Sequence, residues 1–156
     1  MMVLEASRKK IKAGDLFVFQ MSQEPNLYRF GLVSKNDFNL GPFPNCNLVY
    51  LYEACSESID EVPELNREKL LIPPFATNNL AWSKGYFLTI SNIVPSEAEV
   101  FSEHYFRDTS GNLYNESGVR VKKAHEPVGI WALRSYRTVD DSISEALGIP
   151  LVPEDE

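Results

Sequence analysis

The chain has 156 residues, with 15 Lys and Arg against 22 Asp and Glu, a formal net charge of -7, and 44% hydrophobic residues. That length and apolar content make one domain, residues 1–156, able to bury a core, which excludes disorder, collagen-like repeats and a disulfide-stapled miniprotein. No apolar run reaches the ~18 residues of a membrane span. Residues 1–12 make a poor signal peptide, and Cys46 and Cys55 form no C-x-x-C pair, so a reduced, cytoplasmic protein is expected.

Gly14-Asp15 is a turn signal, and Leu16 to Phe19 after it reads as a buried strand. After the turn Gln23 to Asn26, alternation of Tyr28, Phe30 and Leu32 with Arg29, Gly31 and Val33 reads as a second strand, hairpinned to the first. Gly31 within it marks a bulge or a close backbone approach. Residues 36–47, rich in Asn, Gly and Pro, are expected to be a loop, and Leu48 to Tyr52 the next strand. The acidic stretch that follows is expected to hold a short helix around Glu64 to Lys69. Leu70 to Ile72 should then leave regular pairing at Pro73-Pro74, because proline has no N–H.

Further strands are expected at 86–90, 103–107, 119–123 and 128–133, with Asp108 to Asn112 as the tip of an exposed hairpin arm. The clear helix comes last. Thr138 is the expected N-cap, Asp140 and Asp141 fall in the first turn, Val139, Ile143, Ala146 and Leu147 share a face, and Gly148 closes it. The fold class is therefore α+β, mainly β: a strongly bent antiparallel sheet or small barrel with a C-terminal helix.

Catalytic motifs are scarce. His104 follows Glu103 and His125 precedes Glu126, but neighbours on a strand point to opposite faces, so neither pair is an acid–base dyad. The chain contains no H-E-x-x-H, G-x-S-x-G, P-loop or G-x-G-x-x-G, so no catalytic, metal-binding or cofactor-binding residues are nominated. The four bases in residues 1–12 lack interleaved aromatics and read as a flexible basic N-terminus.

Charge is the informative feature. Residues 53–68 hold six acids and one base, residues 97–103 hold three acids, and residues 140–156, which include the acidic tail 151–156, hold six acids and no Lys or Arg. A field of that sign repels nucleic acid and anionic lipid and attracts basic proteins.

The order of motifs is itself familiar. Lys12-Ala13-Gly14-Asp15-Leu16-Phe17-Val18-Phe19, Leu70-Leu71-Ile72-Pro73-Pro74 and Asn78 to Phe87 resemble segments of the immunity protein 26 family of bacterial polymorphic toxin systems. The likeness is densest from Glu126 through Trp131 and Ser135-Tyr136-Arg137-Thr138-Val139-Asp140-Asp141 to Pro150, and spans about Ile11 to Pro153. It implies a cytoplasmic immunity protein, not an enzyme, that neutralises a cognate toxin domain by direct contact. The acidic segments suggest that the toxin is basic and nuclease-like, and nominate Glu53, Glu57, Asp60, Glu61, Glu64, Asp140, Asp141 and Glu145 as partner-binding residues. Trp131 and Tyr136 read as fold determinants. Two other readings stand beside this one. One is an SH3-like interaction module with no toxin partner; the other is a hydrolase with two carboxylates, or His104 and an acid, in a cleft.

Overall fold

A computed structural model describes residues 1–152. The expected tail residues Glu154, Asp155 and Glu156 lie outside the described residues. In chain order the elements are β1 (Asp15–Phe19), β2 (Tyr28–Leu40), β3 (Phe43–Ser56), β4 (Leu70–Thr77), α1 (Leu80–Ser83), β5 (Leu88–Asn92), β6 (Tyr105–Arg107), β7 (Leu113–Asn115), β8 (Arg120–Val121), β9 (Val128–Ile130), β10 (Leu133–Arg134) and α2 (Tyr136–Leu147). They form a six-stranded sheet, β10-β4-β3-β2-β1-β5, and a four-stranded sheet, β8-β7-β6-β9. The protein is mainly β with a C-terminal helix, as expected. The large sheet is open, with β10 and β5 as its edges rather than a barrel seam. Neither sheet is wholly antiparallel: β10 runs parallel to β4 in the large one, and β9 parallel to β6 in the small one.

Alternation along the central strands builds two cores. Phe17 and Phe19 of β1, Val33 of β2 and Val49 and Leu51 of β3 face one side, where Met1, Ile11, α1 and α2 cover them. Leu16, Val18, Phe30, Leu32, Tyr50 and Tyr52 face the other, under Leu65, Ile59, Val100 and Phe101. Cover on both faces explains why β1 is apolar at every position after Asp15. A third cluster of Leu40, Cys46, Leu48, Ala76 and Phe106, with Phe38, Phe43 and Trp131 against it, is the seam between the sheets.

Several local expectations change for physical reasons. Residues 36–47 are not a loop but the far half of the β2–β3 hairpin. Repeated register shifts absorb the polar residues, and Asp37 and Asn45 take positive φ (51° and 55°), which their side chains tolerate. Burial of Phe38, Leu40, Phe43 and Cys46 in the seam offsets the poor strand propensity. β4 continues through Pro73 and Pro74, because a register shift opposite them releases the ladder and β10 pairs only with Ala76 and Thr77. No helix forms at 64–69. Leu65 is buried, and a turn is set by Asn66, whose Oδ1 accepts the Glu68 N–H (2.9 Å) and whose carbonyl accepts the Lys69 N–H (2.9 Å).

The run 86–90 begins its strand only at Leu88, since Tyr86 and Phe87 donate their N–H groups to the Ala81 carbonyl within α1. The run 128–133 divides at Trp131, whose N–H bonds the Arg107 carbonyl (2.9 Å) as the chain passes from the small sheet to the large one. Gly31 meets its expectation: a Cβ there would stand 2.2 Å from Phe17 Cζ.

The N-cap of α2 is Ser135 rather than Thr138; its Oγ accepts the Thr138 N–H at 3.2 Å. Starting there seats Tyr136 on Tyr86, with ring centroids 5.1 Å apart, and moves Asp140 and Asp141 beyond the first turn. Gly148 closes the helix at φ 66°, as expected, but Ser144 takes the buried position expected of Ala146. Residues 1–12 are not a loose terminus. Their bases are exposed, yet Met1 and Ile11 are buried, Leu4 N–H bonds Gly85 O at 2.7 Å and Ser7 N–H bonds Trp82 O at 3.0 Å. The apolar side chains of Met1, Leu4 and Ile11 supply the anchoring.

Candidate functional site

Glu53 stands at the end of β3, and Glu57, Asp60, Glu61 and Glu64 on the segment that crosses over the Tyr50–Tyr52 face of the large sheet. All five side chains are exposed, and none forms an ion pair with another described residue. Burial of Ile59 and Leu65 beneath the segment is what turns its carboxylates outward. Glu53 and Glu64 meet in one depression of about 370 Å³ with Asn66 and Lys69. Glu57 lines a separate one with Gln20, Asn26 and Tyr28.

The nominated acids of α2 do not join this ridge. α2 packs on the opposite core, so a flat partner surface cannot cover both groups. Asp140 is already engaged, its Oδ2 accepting from the Met1 ammonium at 2.6 Å, while Asp141 and Glu145 are exposed. Between helix and ridge lies the sheet itself.

The small sheet meets the large one along a buried polar chain. Phe101 N–H donates to the Tyr50 hydroxyl oxygen (2.9 Å), the Tyr50 hydroxyl bonds His104 Nε2, His104 Nδ1 faces Glu116 Oε1 (3.4 Å), and Lys35 Nζ pairs with Glu116 Oε2. A ring proton on Nδ1, directed at Glu116, leaves Nε2 to accept from the Tyr50 hydroxyl. Burial raises the Tyr50 hydroxyl well above its ordinary pKa. Burial also raises Glu116, but hydrogen bonds from His104 and Lys35 outweigh it and hold the carboxyl below its usual value. With His104 only 5% exposed and both ring nitrogens engaged, the chain ties β2, β3, the segment before β6 and the β7–β8 turn together.

This acid partner of His104 was legible in principle. Centring the polar turn on Ser110 pairs Phe106 with Tyr114, as observed, and extending that register places His104 opposite Glu116. Pairing 103–107 directly with 119–123 hides it, because β7 lies between them.

A longer groove runs along the β4 side of the small sheet. One half, about 300 Å³, is lined by Arg67, Glu68 and Leu70 to Pro73; the other, about 260 Å³, by Arg67, Phe101, Glu103, Tyr105 and His125. Glu126 and Pro127 line both and join them. Arg67 lies over the Phe101 ring at 4.7 Å and pairs with Glu68 at 3.6 Å. Nothing in the sequence signals this groove, since it gathers three separate segments, 67–73, 101–105 and 125–127.

Trp131 and Tyr136 are packing residues. Trp131 stacks on Tyr114 (4.4 Å), meets Phe43 and Phe106 at wider angles, and lies so close to Gly41 that a Cβ there would stand 2.4 Å from the indole. Among the described residues no three His, Cys, Asp or Glu side chains converge as a metal site, and no helix is long and apolar enough to cross a membrane. No family model, curated protein or solved structure matches the chain.

Proposed function

We propose that this protein is an immunity-type inhibitor, cytoplasmic and acting by direct contact with a basic, nuclease-like toxin domain. The observation that carries the proposal is the ridge of Glu53, Glu57, Asp60, Glu61 and Glu64, five exposed carboxylates without a cationic partner among the described residues. Holding like charges together works against the compact state, and it favours steered association with a cationic surface. A nuclease needs such a surface for its phosphate substrate, so a protein that occupies it competes directly. The motif resemblance from Ile11 to Pro153 supports the same reading.

The test is co-expression with the candidate toxin encoded beside this gene, scored by growth rescue and copurification. Reversal of the ridge (Glu53→Lys, Glu57→Lys, Asp60→Lys, Glu61→Lys, Glu64→Lys) should slow association about tenfold or more and flatten its salt dependence. Reversal of Asp141 and Glu145, on the opposite side, should change association far less. Unchanged protection and association rate in the ridge variant would overturn the mapping; absence of any rescue or copurification would overturn the function.

A further inference from the structure

The ridge supplies a long-range field but little shape. The groove beyond it supplies shape. It continues the same stretch of chain: Glu64, Asn66 and Lys69 line the depression at the ridge, and Arg67, Glu68 and Leu70 to Pro73 line the first half of the groove. Its two halves differ in chemistry. The β4 half is floored by aliphatic and proline side chains. In the other half the Tyr105 ring stands against His125 (5.9 Å between centroids, edge on), with Phe101 behind and Glu103 and Glu126 beside them.

Charge in the groove is unbalanced in one direction. Arg67, the one permanent cation in the lining, is committed to Glu68, to the Phe101 face and to the Val100 carbonyl (3.4 Å). Glu103 accepts from the Tyr105 hydroxyl at 2.8 Å, and Glu126 from the Val128 N–H at 3.2 Å. Neither carboxylate has a cationic partner among the described residues, and Lys122 and Lys123 are not part of the lining. Exposed carboxylates beside an aromatic face suit an arginine or lysine, whose stem covers the ring while its head meets the acid. A shape that is elongated and open along its length suits a peptide segment rather than a compact ligand.

We infer that this groove seats an extended basic segment of the partner protein, with Arg or Lys heads set against Glu103 and Glu126 and an apolar side chain in the Leu71–Pro73 half. The inference rests on the protein-inhibitor reading and adds to it the place where the partner is held once the ridge has steered it in. Steering and seating are then separate, so ridge variants act on association and groove variants on dissociation.

The probe is a capped seven-residue peptide of alternating arginine and leucine, titrated into the isotope-labelled full chain at physiological salt and followed by amide chemical shifts. Shifts concentrated at 70–72, 101–105 and 125–126, weakened at least tenfold by the double change Glu103→Lys and Glu126→Lys, are the expected result. An all-acidic peptide of the same length should leave those amides unmoved. Both substituted residues are exposed, and an unchanged urea midpoint confirms that the double variant is folded. Shifts confined to the ridge, scattered over the surface, or indifferent to the double variant would overturn the groove assignment. Because the peptide assay needs no toxin, seating without toxin rescue would refute the immunity reading and leave the groove intact. Rescue without seating would refute the groove alone.

Discussion

Gly31→Ala is the sharpest test of the core geometry. Backbone propensity alone favours the change, since alanine in a strand interior is better than glycine by about 0.5–1 kcal/mol. Gly31 also lacks the positive φ that would make alanine strained. Against that, the new methyl would meet three Phe17 ring atoms at 2.2, 2.5 and 2.9 Å, closer than real side chains come. The ring cannot step aside, because Phe17 is fully buried, stacked on Phe87 at 4.4 Å and edge on to Trp82 at 5.2 Å. Overpacking of this kind costs about 1–3 kcal/mol, and the pinned ring puts this site at the upper end. The net expectation is a loss of about 2 kcal/mol, read as a lower urea midpoint at unchanged m-value. Repeating the substitution in a Phe17→Leu background removes the obstructing ring. The two changes should therefore couple by about 1 kcal/mol or more. A Gly31→Ala effect within about 0.5 kcal/mol of zero, or an equal effect in both backgrounds, would refute the packing argument.

Trp131→Ala should cost about 2 kcal/mol in thermal or chemical unfolding, scaled down from the ~3–5 of a fully buried aromatic because the indole is half-buried. An undiminished stability combined with lost partner binding would instead make Trp131 a contact residue. Glu116→Gln should make stability less pH-dependent in acid. The folded carboxyl lies below its ordinary value, so its contribution is present above the unfolded carboxylate's pKa and is lost as pH falls through the folded value. Denaturation at about pH 6 and about pH 3 should show the gap between wild type and Glu116→Gln narrowing on acidification, and a widening gap contradicts the assignment. Ser135→Ala should cost about 1 kcal/mol through loss of the helix cap, more than Thr138→Ala does. The reverse ranking in paired unfolding curves would restore Thr138 as the cap.

The parts of this fold that local chemistry dictates were readable in advance. Leu16 to Phe19 after Gly-Asp, the alternation from Tyr28 to Val33, and the apolar stripe ending at Gly148 each appear where their patterns place them. Gly31 was readable as a close approach because a glycine inside a strand needs a reason. Residues 36–47 were not, since their propensity says loop and only the seam formed with Phe106 and Trp131 makes them strands. Reading Thr138 as the cap places the helix start one turn late, because Ser135 and Thr138 are both capping residues. Tyr86, far away in sequence, decides between them by packing on Tyr136.

For function the division is similar. Sequence alone determined the net charge of -7, the clustering of acids at 53–68, and the motif order that resembles an immunity family. These depend only on which residues are present and how they are spaced. Tertiary structure decided that the acids of 53–64 and those of α2 occupy opposite sides, and that Asp140 is tied to the Met1 ammonium. It also brought His104 to Glu116 and assembled the groove from β4, β6 and the three connections that precede β4, β6 and β9. The physical reason is that charge is a property of composition. A site is a property of register and of which face each element buries, and in a sheet a shift of one residue reverses the face.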